Sequence, residues 1–515
     1  VDELRETVTS AAAVAAPSQP ARGTSQTDRL PLLVWVIAAA FVAVELAASG
    51  RYGFMQDELY FIEAGRHLAF GYVDQPPLTP LVDRITDVLG LTPTAIRVIP
   101  AVAGGAVVVL AARFAVLFGA GRLGRVLAAL VTACTPVLIG ADHLGNTTPL
   151  DLLTWPVVGI CVLTALLRER PRWWLGAGVA AGLGLENNNL MVLLLAGIGV
   201  GVLISQYRPV LRTRWPWLGA AIAVIIWAPN VIWQATHGWP QLAMASALHQ
   251  QNTSAGSYAG GLPAQLVYFG VLAFPVAIAG FVELWRRREL RFLAIAATLI
   301  LCYVLAWIPG KVYYFDGMAP AVLAAGTTAA ERWISRVRMP RLWLGLLIAA
   351  PLVGTLIVLP DSLPVVPVAD VHSLPSSAQH NSGLGDTIGW PQLTAAVAAQ
   401  DADLVRAGDP PTSIFTGWYG EAAALDVLGS GDRLPPVLSG HNAYWMWGPG
   451  PASDRTVLVV DALASLRPYF ASCRLLTTYN APYHVQNDWT GIPIGVCAGP
   501  RAGWQSLWPH LRHYG

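Results

Sequence analysis

The sequence predicts a polytopic α-helical membrane protein of about eleven transmembrane helices with a carboxy-terminal extracytoplasmic α/β domain. Three observations carry this. Hydrophobic residues make up 54% of the 515 positions and charged residues only 12%, about half of what a typical soluble protein carries. Apolar runs, each close to the roughly 20 residues that cross a bilayer core, follow one another from residue 31 to 360. Beyond 360 that pattern stops, and Pro, Gly, Asp and Ser punctuate short β-type runs. A mean hydropathy of +0.50 excludes a soluble enzyme and a disordered chain. The net charge of +1 leaves no electrostatic footprint for nucleic acid.

Residues 1–30 are rich in Ala, Ser, Thr and Gln without an apolar run, so they read as a disordered cytoplasmic tail rather than a signal peptide. The span candidates are 31–49, 96–118, 125–142, 148–167, 173–186, 190–205, 216–234, 263–284, 291–309, 317–330 and 341–359, two or three of them short enough to be tilted or re-entrant. The first is a signal anchor. Arginine sets the sidedness. Arg122 and Arg125, Arg168 to Arg172, Arg208 to Arg214, Arg286 to Arg291, and Arg332 to Arg341 fall in alternate loops and hold sixteen of the 31 arginines. The positive-inside rule puts those loops in the cytoplasm. Loops 50–95, 143–147, 187–189, 235–262 and 310–316, and everything after 360, then face outward. Residues 31–360 form the membrane domain, with 50–95 as its first outer loop, and 361–515 the outer domain.

In that outer domain TSIFTG (412–417), PPVLSG (435–440), RTVLVVD (455–461) and RLLTTY (474–479) read as strands between helical pieces, with 361–391 as a loop-rich linker. Cys473 and Cys497 are an even pair in an oxidising compartment, either a disulfide or two buried thiols. Cys134, Cys161 and Cys302 lie in spans, as small apolar residues.

Acids at a membrane boundary are costly and mark function. The first outer loop carries the adjacent pair Asp57 and Glu58, then Glu63, Arg66, His67, Asp74 and a rigid Gln75-Pro76-Pro77 turn. The second carries Asp142, His143 and Asp151, the last about one turn inside a span. Asp57 and Glu58 are otherwise solvated loop charges, and Asp151 an acid favoured by the helix dipole. The segment GKVYYFDGMAP adds Lys311, Tyr313, Tyr314 and Asp316. Lys311 is the only lysine beside 31 arginines. It either snorkels to the interface or meets an anionic phosphate as a compact point charge. Carboxylates plus a cation at one face suit transfer from a membrane-held phosphate donor: a carboxylate deprotonates the acceptor hydroxyl and a cation steadies the departing phosphate.

The pieces DELYFIEAGRHLAFGYVDQPPLTPL, HLGNTTPLDLLTW, GLGLENNN and GKVYYFDGMAPAVLAAG resemble, in order over 31–360, the glycosyltransferase-C superfamily. They are most similar to the branch of protein O-mannosyltransferases and aminoarabinose transferases acting on lipid A. The stretch YGEAAALDVLG…LPPVLSGHNAYWMWGPG resembles the outer domain of actinobacterial-type members. The resemblance implies a polyprenyl-phosphate-linked sugar donor and an inverting hexosyl or pentosyl transfer on the outer face. The acceptor is a hydroxyl of a cell-envelope glycan, glycolipid or protein. Asp57 corresponds to the base, supported by Glu58, with Asp151 lining the same cavity. Lys311, Tyr313 and Tyr314 lie near the donor phosphate, with Arg66 a further cation. Two positions depart from the pattern: His143 stands where relatives often carry an Arg, and Asn188 where they often carry a Lys. The lost cation implies altered donor binding or a larger share of that charge on Lys311 and Arg66; the other reading is that asparagines 187–189 satisfy backbone at a membrane turn.

His143, His441, Asn442, Trp445 and Trp447 are candidate acceptor-binding residues. Aromatic faces with amide and imidazole donors suit sugars, although the Trp445–Trp447 alternation equally suits a strand. The segment 237–261 reads as an interfacial helix and gating loop. No spacing demands a metal, but clustered acids suit a divalent ion. Membrane lipids are partners and nucleic acid is not. A lipid or solute transporter is the alternative reading, against which stand the absence of a repeat and the gathering of acids at the outer edge.

Overall fold

The computed structural model describes residues 28–252, 257–307, 309–375, 384–431, 434–449 and 455–514. The tail expected at 1–30 lies outside them up to residue 27, and so do residues 253–256 of the expected gating segment. From Pro31 to the carboxy terminus the chain forms one compact unit.

The helical body runs α1 (Leu32–Ala48), α2 (Gln56–Arg66), α3 (Leu78–Leu89), α4 (Pro93–Leu117), α5 (Arg122–Ala133), α6 (Pro136–Asp142), α7 (Thr148–Leu167) and α8 (Trp173–Leu185). It continues with α9 (Met191–Ile204), α10 (Arg214–Thr236), α11 (Pro240–Asn252), α12 (Ser257–Phe269), α13 (Phe274–Arg286), α14 (Arg291–Trp307), α15 (Ala319–Ile334) and α16 (Pro340–Ser362). Each of the eleven apolar segments contains a helix or a bent pair. Among the described residues five helices are long and apolar enough to cross a membrane, and up to seven spans result if each bent pair is one. α1, α8 and α9 are shorter apolar helices.

Both bends have local causes. Pro136 opens α6 and turns it 57° from α5. Gly270, at φ +82°, separates α12 from α13, which meet at 103°. α4 starts under a cap: Thr92 Oγ1 accepts the Ala95 N–H at 3.1 Å, with Pro93 in the first turn. Helices cross on glycine. A Cβ on Gly280 of α13 would drive into the Val322 carbonyl of α15, and one on Gly326 into that of Val276. Such close backbone approach holds apolar helices together where no hydrophobic drive exists between them. By contrast α16 leaves nearly its whole surface uncovered, Pro351 being its one buried residue.

The first long loop is itself helical. α2 is buried along most of its length. α3 turns Leu81, Ile85 and Val88 outward, 44–70% exposed. These three residues form an exposed apolar stripe along one side of the helix.

The carboxy-terminal region holds α17 (Trp390–Arg406), β1 (Ser413–Thr416), α18 (Tyr419–Leu428), β2 (Val437–Ser439), α19 (Asn442–Trp447), β3 (Thr456–Val460), β4 (Phe470–Tyr479), β5 (Ile492–Pro500) and α20 (Trp504–Leu511). The sheet order is β2-β1-β3-β5-β4. β1 pairs in parallel with β2 and β3, while β5 is antiparallel to β3 and β4. Alternation along the strands divides two cores. Phe415, Val457, Val459 and Cys497 meet Trp504, Leu507 and Trp508 of α20. Ile414, Leu458, Val460, Ile494 and Val496 face the other way, where Trp390 and Leu393 of α17 and Leu59, Tyr60 and Ile62 of α2 complete the packing. The loop helix α2 is thus built into the core of the α/β region. Cys473 and Cys497 oppose each other in the β4–β5 register and are disulfide-bonded, Cα to Cα 4.1 Å. Trp445 and Trp447 lie on a helix, α19, and not on a strand. The two rings therefore leave by different sides, Trp445 toward Trp508 and Trp447 onto His67.

Candidate active site

Asp57 and Glu58 are neighbours with opposite surroundings. Glu58 is wholly buried and takes four N–H groups. Oε1 accepts from Arg97 Nε at 2.8 Å and Gly145 N at 2.9 Å; Oε2 accepts from Arg97 Nη2 and Met55 N, both at 2.8 Å. The Met55 bond closes the first turn of α2, as an acid three residues into a helix can do. Arg97, from α4, also donates to the carbonyls of Ser49 at 2.6 Å and Gly53 at 2.8 Å. One guanidinium and one carboxylate therefore tie α1, α2, α4 and the 143–147 loop into a single frame.

That frame turns Asp57 the other way, where it is half-buried. Its Oδ1 accepts a hydrogen bond from Tyr419 Oη at 2.8 Å. Burial pushes its carboxyl above the ordinary value. The Tyr419 bond and Lys311 pull it back, and the Glu58 charge adds a smaller upward push. Asp74, on the next loop, accepts from Tyr60 Oη at 2.9 Å and is pushed up to about 7, chiefly by burial.

Asp151, in the first turn of α7, faces the same space and is held by two amides. Asn187 donates to Oδ1 and Asn188 to Oδ2, each at 2.8 Å. Asn187 also donates to the Thr147 carbonyl and accepts from Thr79 Oγ1 at 2.7 Å. Asn188 accepts from Leu190 N. The asparagines thus serve both the backbone and the acid.

Lys311 sits at a break in the 3-10 segment Pro309–Met318, at φ −123° and ψ 45°. Gly317 lays that segment on Trp155, one turn beyond Asp151, with room for no Cβ. Lys311 interacts electrostatically with Asp57 and with Tyr314, Tyr313 with both Asp57 and Asp151, and Tyr314 with Asp151. The two tyrosine rings pack edge to face at 4.7 Å.

The structure therefore brings Asp57, Asp151, Lys311, Tyr313 and Tyr314 together and leaves other expected residues elsewhere. Arg66 is engaged by Glu63 at 3.1 Å and Asp87 at 3.2 Å, so it is not a cation waiting for phosphate. His143 is buried against Glu45, Nδ1 to Oε2 3.2 Å, out of reach of an acceptor. His441 is buried and stacks on His513 at 4.6 Å, and Asn442 is buried at φ +47°. Trp445 lies under the Arg512 guanidinium at 4.5 Å, and Trp447 stacks on His67 at 4.4 Å. These four build the carboxy-terminal region and its seam with α2. Among the described residues no group of three or more His, Cys, Asp or Glu is placed to hold a metal ion.

Sequence reasoning missed Arg97 and Tyr419. Arg97 had a signal, a lone arginine at the head of a 25-residue apolar helix. Tyr419 had none, since 362 residues separate it from Asp57.

Residues 74–233 match the dolichyl-phosphate-mannose-protein mannosyltransferase family. ArnT from Cupriavidus metallidurans, in its complex with undecaprenyl phosphate, superposes with a TM-score of 0.57 at 16% identity, over 91% of this chain and 99% of its own. The chain has the glycosyltransferase-C fold. Two further solved members of that fold align. The mycobacterial arabinofuranosyltransferase AftD has a TM-score of 0.54 at 13% identity, over 92% of this chain and 40% of its own. The oligosaccharyltransferase AglB from Archaeoglobus fulgidus has 0.52 at 12%, over 84% and 69%. No curated protein matches the chain by sequence. The family match begins at Asp74 and takes in Arg97, Asp151 and the three asparagines.

Proposed function

We propose that the protein transfers a sugar from a polyprenyl-phosphate donor to a hydroxyl of a cell-envelope glycan, glycolipid or protein, at the outer face of the plasma membrane. The observation that carries this is the convergence of Asp57, Asp151, Lys311 and the Tyr313–Tyr314 pair on one space beneath the carboxy-terminal region. It is supported by the arginine-rich loops, which put the opposite ends of the helices in the cytoplasm, and by ArnT, a protein of the same fold bound to undecaprenyl phosphate.

In this reading Asp57 takes the proton of the acceptor hydroxyl as its oxygen bonds to the anomeric carbon. The carbon–phosphate oxygen bond breaks from the opposite side, inverting the centre, and the phosphate leaves as an anion beside Lys311. That leaving group needs no general acid. Asp57 acts when ionised, so its raised pKa places the acid limb of activity above the ordinary carboxylate range. Transport is not favoured, because the polar groups line one face and not a path through the body.

Purified protein is incubated with polyprenyl-phosphate hexoses and pentoses, and release of polyprenyl phosphate is followed. Turnover is expected with at least one donor. Asp57→Asn abolishes it, and Lys311→Ala raises the donor KM. Full turnover in both variants overturns the site, and a wild type that consumes no donor overturns the activity.

A further inference from the structure

Tyr419 is the first residue of α18, directly after the loop that leaves β1. Its position is fixed on every side. Its backbone N–H meets His441 Nδ1 at 3.3 Å, and its ring packs on Tyr60 at 4.7 Å and on His441 at 4.9 Å. Glu421 accepts the Trp418 N–H at 3.2 Å and closes the first turn of α18. Gly420 brings α18 onto α2, where a Cβ would stand 2.9 Å from Gln56 Cβ, next to Asp57. The sheet of the carboxy-terminal region thus delivers one hydroxyl to one oxygen of the acid that begins α2. Burial and the Asp57 charge keep that phenol protonated, so it acts as a donor.

We propose that Tyr419 is a positioning residue for Asp57, through which the carboxy-terminal region completes the base: it fixes Oδ1 and leaves Oδ2 to receive the acceptor proton. This rests on the reading of Asp57 as the base. A hydrogen bond to an ionised carboxylate favours the ionised form, so Tyr419 offsets part of the upward push of burial. The other groups facing Asp57 are Glu58 on its own helix, Asp74 on the following loop, and Lys311 and Tyr313 on the 3-10 segment. Among the described residues Tyr419 is the side chain that donates a hydrogen bond to the Asp57 carboxylate, and it comes from the carboxy-terminal region. Release of polyprenyl phosphate then depends on a residue that the carboxy-terminal region supplies.

The test uses full-length Tyr419→Phe in detergent with the donor that the wild type consumes. The acid limb of kcat moves up by about one pH unit, with about tenfold lower turnover below the limb, a smaller deficit above it and a donor KM within about twofold. Gly420→Ala keeps the hydroxyl but displaces α18, and shifts the limb the same way by less. A purely structural role lowers turnover equally at every pH. The Asp57 titration is also read without turnover, by carbodiimide labelling across pH and peptide mass spectrometry; its midpoint rises in Tyr419→Phe. An unmoved limb and an unmoved labelling midpoint overturn the proposal. A wild type inert toward every donor, with the midpoint still shifted, counts against the activity and leaves the positioning role standing.

Discussion

Glu58→Gln should cost more fold than chemistry, and Asp57→Asn the reverse. Glu58 receives two N–H donors on each oxygen, three of the four at 2.8 Å and the fourth at 2.9 Å. A glutamine has one acceptor oxygen. Whichever way its amide turns, its NH2 faces two donors, and the Arg97 guanidinium loses its counter-charge at 1% exposure. Removing one partner of such a buried pair costs about 3–5 kcal/mol, against a total stability of roughly 5–15 kcal/mol. Asp57 is half-buried and makes one hydrogen bond, which asparagine can still accept, so its replacement should cost about 1 kcal/mol or less. The assay is thermal unfolding of both full-length variants in detergent, followed by tryptophan fluorescence, alongside donor turnover. Glu58→Gln is expected to lower the midpoint and the yield of folded protein. Asp57→Asn is expected to keep the midpoint and lose turnover. Glu58→Met with Arg97→Met should cost less than the sum of the single changes, because each removes the charge that the other strands. A Glu58→Gln protein with the wild-type midpoint and turnover would refute the argument.

Asn188→Asp places a second carboxylate where an amide now donates to Asp151 at 2.8 Å. The two acids then compete for one proton, and initial rates at fixed donor should fall at least about tenfold, more than in Asn188→Ala. Cys473→Ser with Cys497→Ser releases a disulfide of sequence separation 24; the chain-entropy estimate for such a loop is about 3.5 kcal/mol, read as a lower unfolding midpoint that reducing agent no longer changes. Gly280→Val forces α13 off the Val322 carbonyl, and the folded fraction on size exclusion should collapse while Gly345→Val, with open space around it, leaves it unchanged.

What was legible in the sequence follows how local each cause is. The apolar segments are helices because length and hydropathy act over one span. The bends at Pro136 and Gly270 rest on single residues, and the first could be read from the Thr135-Pro136 step. Asp57, Asp151 and Lys311 stood out because a charge at an apolar boundary needs a reason. The resemblance implied Asp57 as base with Glu58 in support, but the residues alone could not show why, since both are acids on one turn and their different surroundings are set by Arg97 from another helix. Trp445 and Trp447 satisfied period 2 as well as helix, and the left-handed Asn442 before them and Gly448 after them bound a short helix instead. Arg66 and His143 looked like site residues because the carboxylates they meet could not be read from the sequence. Their partners, Asp87 and Glu45, are 21 and 98 residues away.

Asp57 and Asp151 are held differently, and under the proposed function that difference separates their roles. Both oxygens of Asp151 already accept an amide N–H, so an acceptor hydroxyl would have to displace Asn187 or Asn188 to reach it. Asp57 is engaged at Oδ1 by one phenol. Under the proposed function proton abstraction falls to Asp57, while Asp151 is a carboxyl held by two amides at the head of α7. The cation beside Asp57 is Lys311, while Arg66 and Arg97 are committed to other acids. Under the proposed function an anionic donor phosphate meets Lys311, the residue at the break of the 3-10 segment. A compact, rotatable ammonium suits that task, in a chain whose other 31 Lys or Arg positions are all arginine.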